Sequence, residues 1–210
     1  LLYMDEPQML HHLHFMRGRG LKKAMPVCIG GKAGLYENDS LGRGPHPIAA
    51  ALAAFNHFTV DTEYVERVNP DCAPWIWLSK GDGKALAVVC GRIGEPGWAW
   101  DQQTRDGSLL IVDRGQRFQL HDRYAEKLPR GRDEITVPLT EATYYVTARE
   151  EDYDELNTAF ESAVVRDIVP VRLLVHDFTG PLSQRPVMRV SVRNALNRPL
   201  SGRLTVAAPD

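Results

Sequence analysis

WIWLSKGDGKALAVVC, from Trp75 to Cys90, is the stretch whose reading decides the fold. Two apolar runs flank Gly81-Asp82-Gly83, and an Asp-Gly pair between such runs is a strong signal for a tight β-hairpin turn. Side chains alternate across a strand, so Trp75 and Trp77 share one face while Ile76 and Leu78 share the other. Leu86, Val88 and Val89 keep the returning strand apolar as well. A sheet with one wet face alternates apolar and polar residues, and this hairpin does not. It is therefore expected to be covered on both sides, with the preceding part of the chain as one cover.

Downstream the strand signals continue at short intervals. Leu109 to Val112 is followed by a turn at Asp113-Arg114-Gly115-Gln116 and then by Phe118. Ile135, Val137 and Leu139 alternate with polar or small residues, and TYYVTA closes the series. Residues 61–148 thus predict an antiparallel β-sandwich. An acidic segment follows, with Leu156, Phe160 and Val164 at helical spacing, and 149–169 is expected to be a connecting helix. From residue 170 the pattern is again β: VRLLVHDF, VMRVSVRN, a turn through Asn197-Arg198-Pro199, then GRLTVAAP. About three strands fit into 170–210, whereas an immunoglobulin-type sandwich needs ~100 residues, so this module reads as incomplete.

Upstream of the hairpin, residues 1–60 alternate strand and helix signals. Leu1 to Met4 is a short apolar run. Asp5 and Gln8 make a capping box with Pro7 in the first turn, and Met9, Leu13 and Met16 form an apolar stripe that Gly18 and Gly20 can end. Met25 to Ile29 reads as a buried strand stopped by Gly30-Gly31. A polar, Gly-rich loop runs from Lys32 to Gly44, and Pro47 opens a helix in which Ile48, Leu52 and Phe55 share a face. Helix, strand, loop, helix is the pattern of closing units in a parallel α/β fold.

Composition narrows the function classes. Across 210 residues the formal net charge is -2, with 25 Lys and Arg against 27 Asp and Glu, so no broad basic surface argues for nucleic acid. No apolar run approaches the ~20 residues of a membrane-spanning helix. Cys28, Cys72 and Cys90 fit neither a zinc site nor a disulfide framework, and leave the compartment open. The chain begins at Leu1 without an initiator Met and stops just after a strand-like run, so a piece of a longer protein is expected.

Taken together, GLKKAMPVCIGG and GRGPHPIAAALAAF within residues 20–60 resemble the last strand, loop and helix of clan-A-type glycoside hydrolase barrels. WIWLSKGDGKALAVVCG, LLIVDRGQRF and EITVPLTEATYYVTA resemble the β-sandwich that packs behind such barrels, where a V-x-D-x-x-G-N pattern recurs. MRVSVRNALNRPLSGRLTVAAP resembles the opening strands of bacterial immunoglobulin-like modules. The resemblance implies the end of a TIM barrel, an accessory sandwich and a partial immunoglobulin-like module. It also implies a carbohydrate partner, no cofactor, and a secreted, periplasmic or cell-surface setting.

In that family two carboxylates, ~5–5.5 Å apart in retaining enzymes, perform hydrolysis. The acid/base would lie upstream of Leu1, in a missing N-terminal portion of the barrel. Glu6 would stand at the end of the seventh strand if Leu1 to Met4 were that strand, which makes it the candidate nucleophile. The competing reading makes Glu6 a first-turn carboxylate facing a helix dipole. Trp98 and Trp100 form a W-x-W pair among Gly, Pro and Asp, a candidate platform for stacking a sugar ring. Trp75 and Trp77, set among apolar residues, are expected to pack between sandwich and barrel. The loop from Lys32 to His46 offers Tyr36, Glu37, Asn38, Asp39, Arg43 and His46 at what would be the barrel mouth. His11, His12 and His14 lack zinc spacing and supporting ligands, so no metal is expected. Two further readings stand beside the enzyme fragment: a non-catalytic carbohydrate-binding module, and a structural scaffold in a large surface protein.

Overall fold

The computed structural model describes residues 6–20, 47–68, 74–91, 107–140, 142–167, 171–176, 188–194, 199 and 201–205. Helix α1 spans Glu6–Gly18 and helix α2 spans Pro47–Thr59. Seven strands follow: β1 (Glu63–Arg67), β2 (Trp75–Gly81), β3 (Lys84–Cys90), β4 (Gly107–Val112), β5 (Gln119–His121), β6 (Glu134–Leu139) and β7 (Thr143–Arg149). A 3-10 turn at Glu150–Asp152 leads into α3 (Tyr153–Glu161), and then come β8 (Val164–Arg166), β9 (Val171–Val175) and β10 (Val190–Asn194).

All strand pairings among these elements are antiparallel. One sheet runs β1-β2-β3-β7-β5, a second runs β6-β4-β8, and β9 pairs with β10 alone. The central hairpin pairs Trp75 with Cys90 and Gly81 with Lys84. Its turn places Asp82 at φ 47° and Gly83 at φ 74°, the left-handed pair that a tight hairpin requires and that Asp-Gly supplies at low cost.

The hairpin is buried on both faces, as its composition demands. On one side Ile76, Leu78, Ala85, Ala87 and Val89 meet Leu109, Ile111, Ile135, Val137 and Leu139 from the second sheet, a sandwich-like core closed at its end by Leu156 and Phe160 of α3. On the other side Trp75, Trp77, Leu86, Val88 and Tyr145 meet Ala54 and Phe58 of α2, with Phe15 of α1 packed against them. The five-stranded sheet is therefore the middle layer of three in this region, with helices on one face and a second sheet on the other.

Several sequence expectations shift. Among the described side chains of α1 the buried positions are Leu10 and His14, while Met9, Leu13 and Met16 are only half-buried. On α2 the buried residues are Ala51, Ala54, Phe58 and Thr59, whereas Ile48, Leu52 and Phe55 are half-buried. Ala54 and Phe58 of α2 meet the indole cluster, and a small residue at such a contact lets a helix pack closely. The expected connecting helix stops at Glu161, and Val164, the last member of its apolar stripe, belongs to β8, which pairs with β4. α3 is thus a lid on the sandwich core. Residues 201–205 are exposed and carry no strand, where a third strand was expected.

The turn after β4 also has a defined cause. Buried Asp113 accepts the backbone N–H groups of Arg117 and Phe118, each at 3.0 Å, and pairs with Arg130 at 2.8 Å. The short apolar run at Leu1 to Met4 and the buried strand expected at Met25 to Ile29 lie outside the described residues.

Candidate functional site at the helix–sheet seam

Helix α1 lays Glu6, Leu10, His14 and Arg17 along one face, at spacings of four, four and three residues, and this face meets the tryptophan side of the sheet. Glu6 is the first residue of the helix, where the helix dipole favours a carboxylate. Its Oε1 lies 2.8 Å from Arg123 Nε, an ion pair close in distance whose N–H is not aimed along the hydrogen-bond direction. The Tyr124 hydroxyl donates to its Oε2 at 3.0 Å. Arg123 and Tyr124 belong to the turn after β5, which is fixed by Asp122 Oδ1 accepting the N–H groups of Tyr124 and Glu126, both at 2.8 Å. The sandwich thus clamps the start of α1 through Glu6.

Midway along the seam, the His14 ring lies 4.8 Å from Phe55, 5.8 Å from Tyr145 and 5.9 Å from Trp77, centroid to centroid. Burial holds the imidazole pKa well below its ordinary value, and the charges of Arg17 and His11 add to the effect. Burial also raises Tyr145, reinforced by Cys90 and Glu6, so its phenol stays protonated. The Cys90 thiol is pushed up to about 12 by burial, a shift opposed by its 3.4 Å contact with Thr143 Oγ1. His14, Tyr145 and Cys90 are therefore all uncharged at neutral pH. A thiol so far from ionising is a poor nucleophile.

Arg17 ties the end of α1 to both neighbours. It donates to Ser79 Oγ and Thr62 Oγ1, each at 2.8 Å, to the Thr62 carbonyl, and to the Thr59 carbonyl at 3.3 Å. Trp75 and Trp77, expected to pack, are 7% and 3% exposed and do so. His11 sits against Trp75 at 4.3 Å and His12 is exposed. No cluster of three or more His, Cys, Asp or Glu suited to a metal occurs among the described residues. Trp98, Trp100 and the Lys32 to His46 loop lie outside the described residues.

One feature of the fold has no counterpart in the sequence pattern. Between the end of α1 and strand β1 lies an open cleft of about 380 Å³, lined by Phe15, Gly18, Arg19, Tyr64, Arg67 and Trp77 among others. Nothing in EYVER announces it, because strict alternation puts Tyr64 and Arg67 on opposite faces.

Comparison with protein-family models, with curated proteins and with solved structures returns no match to this chain. Among the described residues, no helix is long and apolar enough to cross a membrane.

Proposed function

We propose that this chain is the C-terminal part of a glycoside-hydrolase-like protein, in which the two-sheet unit braces a carbohydrate-active barrel. The observation that carries this reading is the tryptophan face of the five-stranded sheet. Among the described residues it is closed by α1 and α2, which precede the sheet in the chain, and not by strands of its own. An accessory sandwich that stiffens a barrel needs such a dry, aromatic seam with the barrel's last helices. In this reading the acid/base residue lies outside the chain. The clamping of Glu6 by Arg123 and Tyr124 supports a bracing role for that carboxylate over a nucleophilic one. The β9–β10 hairpin, with its five paired positions, would be the opening of the immunoglobulin-like module.

The test is hydrolysis of aryl glycosides and polysaccharides by the protein expressed from its complete reading frame, beside the 210-residue chain. Hydrolysis by the complete protein and none by this chain is expected. A reading frame with no pair of strand-end carboxylates upstream, together with no hydrolysis across the panel, overturns the reading in favour of a scaffold.

A further inference from the structure

Strand β1 carries a bulge. Its register against β2 pairs Tyr64 with Ser79, then skips so that Glu66 opposes Leu78 and Arg67 opposes Trp77. Directly opposed residues share a face, so the extra residue turns Tyr64 and Arg67 onto the same side as Trp77, and sends Glu66 to the other. There Glu66 Oε1 accepts from the Tyr153 hydroxyl at 3.1 Å and Asn157 Nδ2 at 3.3 Å. One irregularity thus gathers two donors into the cleft and gives the Glu66 carboxylate partners on the opposite face, while Glu66 itself still forms part of the cleft wall.

What lines the cleft is rich in donors. The Arg67 guanidinium lies over the Trp75 ring at 5.4 Å and that of Arg19 over Phe15 at 5.2 Å. Neither takes part in an ion pair among the described residues, in contrast to Arg117, Arg123, Arg130 and Arg149. Both cations bear on the Tyr64 phenol, whose pKa is raised first by burial and also by Glu66, and pulled back by Arg67 and Arg19. At the floor, Gly18 has no side chain, and a Cβ there would come within 3.5 Å of Trp77 Nε1 and 3.6 Å of Tyr64. The volume of about 380 Å³ falls at the lower end of the range for small-molecule sites. Two guanidiniums, a phenol and an indole on the walls, with the one lining carboxylate already held by Tyr153 and Asn157, suit a ligand rich in acceptors that carries negative charge.

We propose that this cleft binds an acidic sugar, its carboxylate or sulfate held by Arg19 and Arg67 and its ring hydroxyls set against Tyr64 and Trp77. The choice of a sugar rests on the carbohydrate reading above; the demand for an anion rests on the bulge and the two guanidiniums alone.

The test is an NMR titration of the 210-residue chain with glucuronate, glucose and sodium sulfate in turn, following the Trp indole N–H signals. Glucuronate is expected to shift the Trp77 signal and glucose to leave it in place. Arg19→Ala and Arg67→Ala should each weaken glucuronate at least tenfold. Neither side chain takes part in an ion pair among the described residues, and thermal melting serves as the check that both variants fold. Silence toward glucuronate, an equal response to glucose, or variants that fold and still bind normally would each overturn the proposal. Sulfate binding as tightly as glucuronate would overturn the sugar and leave only an ion site. Because the readout needs no hydrolysis, its outcome is independent of whether the complete protein proves to be an enzyme.

Discussion

His14 is the residue whose placement has the plainest thermodynamic consequence. In the unfolded chain its imidazole takes up a proton near the ordinary value of 6.5, while in the fold burial keeps it neutral well below that. The unfolded state then binds more protons, so stability is full above about 6.5 and falls as pH drops below it. His121, also lowered chiefly by burial, works in the same direction. The His14→Leu variant should therefore show a shallower fall of Tm between pH 7 and pH 5 than the parent, though not a flat one. Melting curves across that range measure it, and identical slopes would show that His14 is protonated in the fold. Cys90 gives a second residue-level expectation. In a Cys28→Ser, Cys72→Ser background, the thiol raised to about 12 should ignore a disulfide reagent at pH 8 and react fully once the chain is unfolded in urea.

At the scale of elements, the Asp113 turn and the tryptophan hairpin set the costs. Asp113→Ala deprives two backbone N–H groups of their acceptor and leaves Arg130 only carbonyl partners, those of Phe118 and residue 113, so a loss of about 3 kcal/mol is expected for breaking such a pair. Trp77→Ala opens a void at the helix–sheet contact and should cost about 3–5 kcal/mol, read from urea midpoints. These two elements were also the most legible in the sequence. Asp82-Gly83 names its own turn type, and an apolar run with no alternation announces burial on both sides. The helices were less legible. Apolar spacing pointed to Met9, Leu13 and Met16, but the seam of α1 is built from Glu6, Leu10, His14 and Arg17 together with His11 and Phe15. Polar side chains that find partners across an interface leave no trace in a hydrophobic pattern. The cleft was illegible for a different reason, since a bulge depends on pairing with a neighbouring strand and not on the residues of its own.

Across the whole molecule, packing is uneven. The β2–β3 hairpin is covered on both faces, whereas among the described residues β9 and β10 pair only with each other and leave Leu173, Val175 and Val192 at least half exposed. A lone two-stranded ribbon is marginal in water. Backbone amides of β9 and β10 should therefore exchange with solvent orders of magnitude faster than those of β3 and β7, as measured by hydrogen–deuterium exchange. Equal protection would show that the ribbon is held by something further.

The double covering of the tryptophan hairpin has a practical corollary for anyone dividing this polypeptide. A cut near Val60, the place where composition changes and where a boundary is most tempting, would strip a wall of indole and aliphatic carbon of its lining and leave it wet. The excised strands would clump, not because they misfold but because the half that kept them dry had been left behind.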